Sequence, residues 1–334
     1  MFQHILVPLD GSPRAERALG TAARLARATQ GQLILLRAVT MTTEFWPAQR
    51  SPEAHLEPMI HACMEEAHAY LAGLAASPLL HDIPVKIVVP FGPPAAGILE
   101  AVPTYRIDLI ILGSHSSKGT IYGVMSSISE KVSRNSPVPV LVLREHGPIP
   151  AEENEARPLS ILVGLDGSVQ AGAAIAPAAQ LIAALSAPER GIIHLAYAMA
   201  PGANESNDAQ RKRYTKIQEY LQTVSARLRG GEDETISTSR VQIRTSVIVC
   251  TDAVEGLARL GEHGEDMEGP GESCDLMALS THGQSEVQPW GMGSFPERML
   301  KATKLPLLVV RPQHTHKSSL PVQQRSRSVI VQDN

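Results

Sequence analysis

Two short constellations in the 334-residue chain set chemistry-bearing side chains beside glycine. One is Asp10-Gly11-Ser12, which returns as Asp166-Gly167-Ser168, each time directly after an aliphatic run. A carboxylate there can accept hydrogen bonds from a sugar or a base, the Gly frees the backbone to turn, and the Ser hydroxyl can cap a following helix. Capping and ligand contact both remain open for this triplet. The second constellation runs from Ser280-Thr-His282-Gly283 to Gly291-Met-Gly293-Ser294 and on to Glu297. Glycines let backbone N–H groups converge on an anion, and a helix N-terminus adds uncompensated donors, so this is the composition of a phosphate cradle. Its earlier counterpart reads Gly113-Ser-His115-Ser116 and Ser126-Ser127-Ile-Ser-Glu130, with Ser116 and Ser126 where the later copy has Gly283 and Gly293. Ser127-x-x-Glu130 and Ser294-x-x-Glu297 are also capping boxes, which lowers the specificity of the signal without excluding an anion at the same helix start.

The elements that must position these residues come in two copies. Ile5-Leu-Val-Pro-Leu-Asp10 matches Ile161-Leu-Val-Gly-Leu-Asp166, and Asp108-Leu-Ile-Ile-Leu-Gly-Ser-His115 matches Asp275-Leu-Met-Ala-Leu-Ser-Thr-His282. Such self-similarity marks homologous units. The second copy is longer, chiefly through the Gly/Glu-rich stretch 261–272, which reads as a surface loop. In the first copy, aliphatic runs at 5–9, 33–39, 85–89, 109–112 and 138–143 suit strands buried on both faces of a parallel sheet. Helical patterns fall between them. The clearest covers 52–76, where Leu56, Met59, Ile60, Cys63, Ala67, Tyr70, Leu71 and Leu74 form one apolar stripe. The expected fold is α/β: two tandem, doubly wound, Rossmann-like units, each a five-stranded parallel sheet flanked by helices. Ligands of such sheets bind at the carboxyl ends of the strands, where the winding reverses. The expected boundaries are residues 1–144 for the first unit, 145–158 for a Pro-framed acidic linker, 159–311 for the second unit and 312–334 for a disordered tail.

Composition narrows the partners. Thirty basic against thirty-four acidic side chains give a formal charge of -4, so no positive field is available for nucleic acid or an anionic membrane. Cys63, Cys250 and Cys274 are too few and too scattered for a disulfide framework or a zinc knuckle. No run of about eighteen apolar residues occurs, and the start lacks a basic leader, so a cytoplasmic location is expected.

At these motifs the chain resembles the universal stress protein family, specifically its tandem-domain members. The nucleotide-binding branch of that family carries G-2x-G-9x-G-(S/T) after strand four and an Asp at the end of strand one. The second unit matches at Gly283 and Gly293-Ser294, with Ser280 in place of the first Gly. The first unit keeps Gly113 and Ser127 but has Ser116 and Ser126 for the other glycines. The resemblance spans about residues 1–144 and 159–311. It implies an adenine nucleotide, ATP with Mg2+ as a candidate companion, bound mainly in the second unit by Asp166, Gly167, Tyr197, Ser280, His282, Gly283, Gly293 and Ser294. Asp10, Ala38, Gly113, Ser116, Ser126 and Ser127 would form a weaker site, because a Ser in a left-handed loop position costs about 1 kcal/mol or more. Core packing is the alternative for Tyr197. The resemblance also implies pairing through the last strands, 138–143 and 305–310, as an intrachain pseudo-dimer or a homodimer, and an unidentified protein partner.

Other signals are weaker. His115 and His282 lack the H-x-G-H arrangement of nucleotidyl transferases, no P-loop is present, and Pro296 spoils the dinucleotide fingerprint begun by Gly291 and Gly293. Catalysis is therefore expected to be absent or limited to slow ATP hydrolysis. His61, Glu65 and His68 share a helix face, but solvated faces of this kind are common and a fourth ligand is lacking. Arg211-Lys-Arg213 and Lys216 read as a solvated face. The competing class is a scaffold of the same fold that has lost nucleotide binding.

Overall fold

The computed structural model describes residues 2–40, 53–113, 127–144, 158–202, 206–230, 240–264, 273–281 and 295–312. The expected linker and tail lie almost wholly outside these residues. In the first half, β1 (His4–Pro8), β2 (Gln32–Leu36), β3 (Val85–Val88), β4 (Leu109–Gly113) and β5 (Val140–Leu143) alternate with α1 (Pro13–Glu16), α2 (Ala18–Thr29), α3 (Glu53–Ala75), α4 (Pro94–Thr104) and α5 (Ser127–Asn135). The second half repeats the series as β6 (Ser160–Leu165), α6 (Val169–Gly172), α7 (Ile175–Leu185), β7 (Gly191–Met199), α8 (Asn207–Gly230), β8 (Val241–Val249), α9 (Ala253–His263), β9 (Leu276–Ser280), α10 (Phe295–Ala302) and β10 (Leu307–Val310).

All ten strands form one sheet in the order β3-β2-β1-β4-β5-β10-β9-β6-β7-β8. Within each half the strands are parallel, and the winding reverses between β1 and β4 and again between β6 and β9. The halves meet through one antiparallel pair, with Leu307 opposite Val142, Leu308 opposite Leu141 and Val309 opposite Val140. Continuous aliphatic strands demand cover on both faces, and helices supply it. On one face α2, α3, α7 and α8 close over Ile5, Leu33, Ile111, Ile161, Leu195 and Leu308. On the other, α4, α5, α9 and α10 close over Leu6, Ile110, Val142, Leu162, Met277 and Leu307. Each core runs across the junction, and α2 packs on α7 over it.

The repeated Asp at the start of the fourth strand is a structural tie. Asp108 accepts from the backbone N–H of Gln3 (2.7 Å) and His4 (3.1 Å), and Asp275 accepts from Ser160 N–H (2.7 Å). Each carboxylate thereby fixes the first strand of its half against the fourth. The run 33–39 proves shorter as a strand than its hydrophobicity predicts, since β2 stops at Leu36 and only Val39 resumes, as a bridge to Phe91. Pro8 closes β1 without an N–H donor and the chain then turns at Asp10, so residues beyond Leu36 have a strand neighbour on one side only. Among the described residues no helix is long and apolar enough to cross a membrane.

Candidate functional site

The Asp-Gly-Ser turns fold identically in the two halves. Gly11 and Gly167 adopt φ of 86° and 85°, a conformation that L side chains resist. Asp10 Oδ1 accepts from Ser12 N–H and Asp166 Oδ1 from Ser168 N–H, both at 2.9 Å. Ser12 Oγ accepts from Ala15 N–H (3.2 Å) and Ser168 Oγ from Ala171 N–H (3.0 Å), so both serines cap the short helix that follows. The capping role is thus realised. Each carboxylate stands just beyond the carboxyl end of the first strand of its half.

At the first of these turns the sheet opens into a cavity of about 400 Å³, at the carboxyl ends of β1, β2 and β4, where the winding reverses. That volume is within the usual range for small-molecule sites. Leu9, Leu36, Ala67, Ile98 and Leu112 make its apolar walls, and Asp10, Arg37, Thr40, Cys63, Glu66 and Ser129 supply polar atoms. Three of the residues expected for the first-half site, Asp10, Ala38 and Gly113, come together on its lining. A Cβ at Gly113 would stand 3.2 Å from the Arg14 carbonyl oxygen, so the glycine lets α1 lie close over the end of β4. Ser127 opens α5, whereas Ser116 and Ser126 lie outside the described residues.

Ala38 brings its backbone groups to this lining. Arg37 N–H and Val39 N–H both donate toward the β3 side, to Val88 O (3.1 Å) and Pro90 O (2.9 Å), and Gly92 N–H donates back to Val39 O (2.9 Å). Alternation along an extended chain points the intervening N–H and C=O of Ala38 the other way, past the end of β1 and into the cavity. No hydrogen bond to either is found among the described residues. An adjacent donor and acceptor of this kind complement the edge of a planar heterocycle with an amine beside a ring nitrogen.

Arg37 was not among the expected site residues. Its guanidinium sits 5.0 Å from the Tyr70 ring centroid and 3.7 Å from Glu66, and a Cβ on Gly11 would lie 3.5 Å from it. Tyr70 in turn donates to Glu16 Oε1 (2.7 Å). Burial, then this bond to Glu16, pushes the phenol pKa well up, so Tyr70 stays a proton donor. The sequence signal for Arg37 was a lone cation inside the aliphatic run 33–39.

In the second half, burial and then the Asp166 charge raise the Tyr197 pKa, and burial and then the same carboxylate raise that of Tyr220. Tyr197 also packs against the core, so both of its expected roles are structurally compatible. Arg211, Lys212 and Lys216 are exposed, as expected of a solvated face, whereas Arg213 is half-buried and donates to the Ala200 carbonyl at the end of β7. Ser280 ends β9 and is buried. His282, Gly283, Gly293 and Ser294 lie outside the described residues. His61, Glu65 and His68 are exposed, and no group of three or more His, Cys, Asp or Glu among the described residues is placed to hold a metal ion.

Comparison with known proteins finds relatives of this chain. The model of the universal stress protein family matches residues 1–144. Universal stress protein Sll1654 of Synechocystis sp. is 32% identical over 146 residues, covering 43% of this chain and 86% of that protein. Universal stress protein Mb2028c of Mycobacterium bovis is 22% identical over 317 residues, covering 92% of this chain and 97% of its own. Among solved structures, a universal stress protein from Archaeoglobus fulgidus superposes with a TM-score of 0.62 at 16% identity, over 92% of this chain and 98% of that one. That likeness extends over both halves and bears on the fold.

Proposed function

The chain belongs to the universal stress protein family, and from that premise we propose that it is a stress-response protein that binds adenine nucleotides at the carboxyl ends of its strands. The observation that carries this reading is the inward-facing N–H and C=O of Ala38 at a cavity of about 400 Å³ that also contains the Asp10 carboxylate. The pair suits the amine and ring nitrogen of adenine, and the carboxylate suits the ribose hydroxyls. Ala198 and Asp166 hold the same register positions in the second half. There the retained Gly283 and Gly293-Ser294 favour ATP, because backbone N–H groups without neighbouring Cβ atoms can approach the phosphates. Nucleotide occupancy acts on partner binding only as far as ATP distinguishes two conformations of the protein.

Titration calorimetry of the full chain with ATP tests the assignment. Gly293→Asp puts a carboxylate where the phosphates should lie and is expected to abolish ATP binding while the circular dichroism spectrum is retained. Undiminished ATP affinity in that variant would remove the second-half site. Absence of heat with any adenine ligand in the unaltered chain would favour a scaffold.

A further inference from the structure

Arg37 lies on the lining of the first-half cavity with 25% of its side chain exposed. No hydrogen bond from that side chain is found among the described residues. A guanidinium carries five donors in one plane, and this one is held by its flat faces rather than by its edges. The point where a Gly11 Cβ would stand lies 3.5 Å from Arg37 Cζ and Nη2 and 3.7 Å from Nη1. Near-equal distances to the three atoms set that point over the plane of the group, so the bare backbone of Gly11 packs on it. The ring centroid of Tyr70 is 5.0 Å from the same guanidinium, within cation–π range. Tyr70 donates to Glu16 of α1 (2.7 Å). Together these contacts join the carboxyl end of β2, the turn that carries Asp10, α1 and α3. Gly11 must be glycine for its φ of 86°, so the turn has no side chain there with which to lean on β2. Arg37 supplies that contact from the other side.

We propose that Arg37 is a positioning residue of the first-half site: packed on the Gly11 backbone and on Tyr70, it sets the Asp10 turn at the distance from Ala38 that lets one nucleoside meet both. This rests on the adenine reading given above and adds the group that makes the cavity read the sugar as well as the base. The main chain of Arg37 is pinned where the base would be read, since its N–H donates to Val88 O (3.1 Å) and Ala38 follows it. Its side chain crosses from there to Gly11, one residue past the carboxylate. The span from the base edge to the ribose hydroxyls is fixed by the ligand's covalent geometry, so a turn left loose would keep the base contact and lose the sugar contact. Planarity carries this role more than charge does. A lysine ammonium has no flat face to lay on a backbone turn or an aromatic ring. The pair with Glu66, at 3.7 Å from a carboxylate side chain that is 75% exposed, adds little.

Hydrogen exchange in the full chain, read by mass spectrometry over the segment 36–40 against rising adenine or adenosine, follows the first cavity by itself, because Ala38 N–H lacks a partner among the described residues. Adenosine is expected to bind about ten-fold more tightly than adenine, the difference that one hydrogen bond to a charged group makes. Arg37→Met should reduce this preference to about two-fold or less with the adenine affinity unchanged, and Arg37→Lys, which keeps the charge without the plane, should do the same. Asp10→Asn should match them, and joining it to Arg37→Met should cost no more than either change alone, because both remove one contact. Tyr70→Phe keeps the ring beside the guanidinium and should retain most of the preference. Either Arg37 variant decides the matter. A preference that survives in it, or adenine and adenosine weakened alike, would overturn the positioning role, as would equal affinities for the two ligands in the unaltered chain. If neither ligand protects 36–40 in the unaltered chain, the adenine reading of the first half falls instead.

Discussion

His194 lies inside β7 with 6% of its surface exposed and its Nε2 2.7 Å from Ser246 Oγ. Burial, aided by the Arg244 charge, pushes its pKa down to about 4. The unfolded chain binds a proton near pH 6.5 and the folded one does not until about pH 4, so this residue stabilises the fold above pH 6.5 and the contribution is lost as pH falls through that window. Urea denaturation at pH 7 and pH 4.5 should differ by about 2 kcal/mol more in the unaltered chain than in His194→Gln, and equal differences would remove His194 as the cause. The sequence disclosed residues of this scale unevenly. Asp10 and Asp166 were visible because a carboxylate followed by Gly and Ser is repeated, yet the same pattern served capping and ligand contact alike. Arg213 was hidden, because whether a basic residue on a helix points to water or back to a carbonyl depends on where that helix lands.

Helix α3 shows what local pattern can deliver: the stripe predicted over 52–76 occupies Glu53–Ala75, with Ala67 and Leu71 fully buried. The junction between α5 and α10 shows what it cannot. Arg134, in the last turn of α5, bonds both Glu130 of its own helix (2.8 Å) and the buried Glu297 in the first turn of α10. Each partner also sits at the helix end that favours its charge. No local signature announces such a pair, since its members lie in opposite halves of the chain. Arg134→Ala leaves Glu297 buried with less compensation and should cost about 2–3 kcal/mol in chemical denaturation. Adding Glu297→Gln should recover part of that loss, and strict additivity of the two changes would show that the pair is uncoupled.

Across the whole molecule the two halves were legible as repeats, and the parallel order followed from aliphatic runs alternating with helices. Their union into one sheet was foreseeable only through the family resemblance, because 138–143 and 305–310 look like any other buried strand. Both cores cross this seam, so the halves should unfold together. Leu308, fully buried opposite Leu141, is the sharpest probe: Leu308→Ala should destabilise by about 2–5 kcal/mol and shift a single transition seen by every probe. Two separated transitions would mean that the halves are energetically independent.

The antiparallel seam also reverses the second half end for end, so the carboxyl ends of β1 and β4 point to one pole of the molecule and those of β6 and β9 to the other. A small solute at one pole cannot touch one at the other. Any macromolecule that reported on both at once would have to straddle the sheet, whereas two copies of a reporter, one per pole, could dock without meeting.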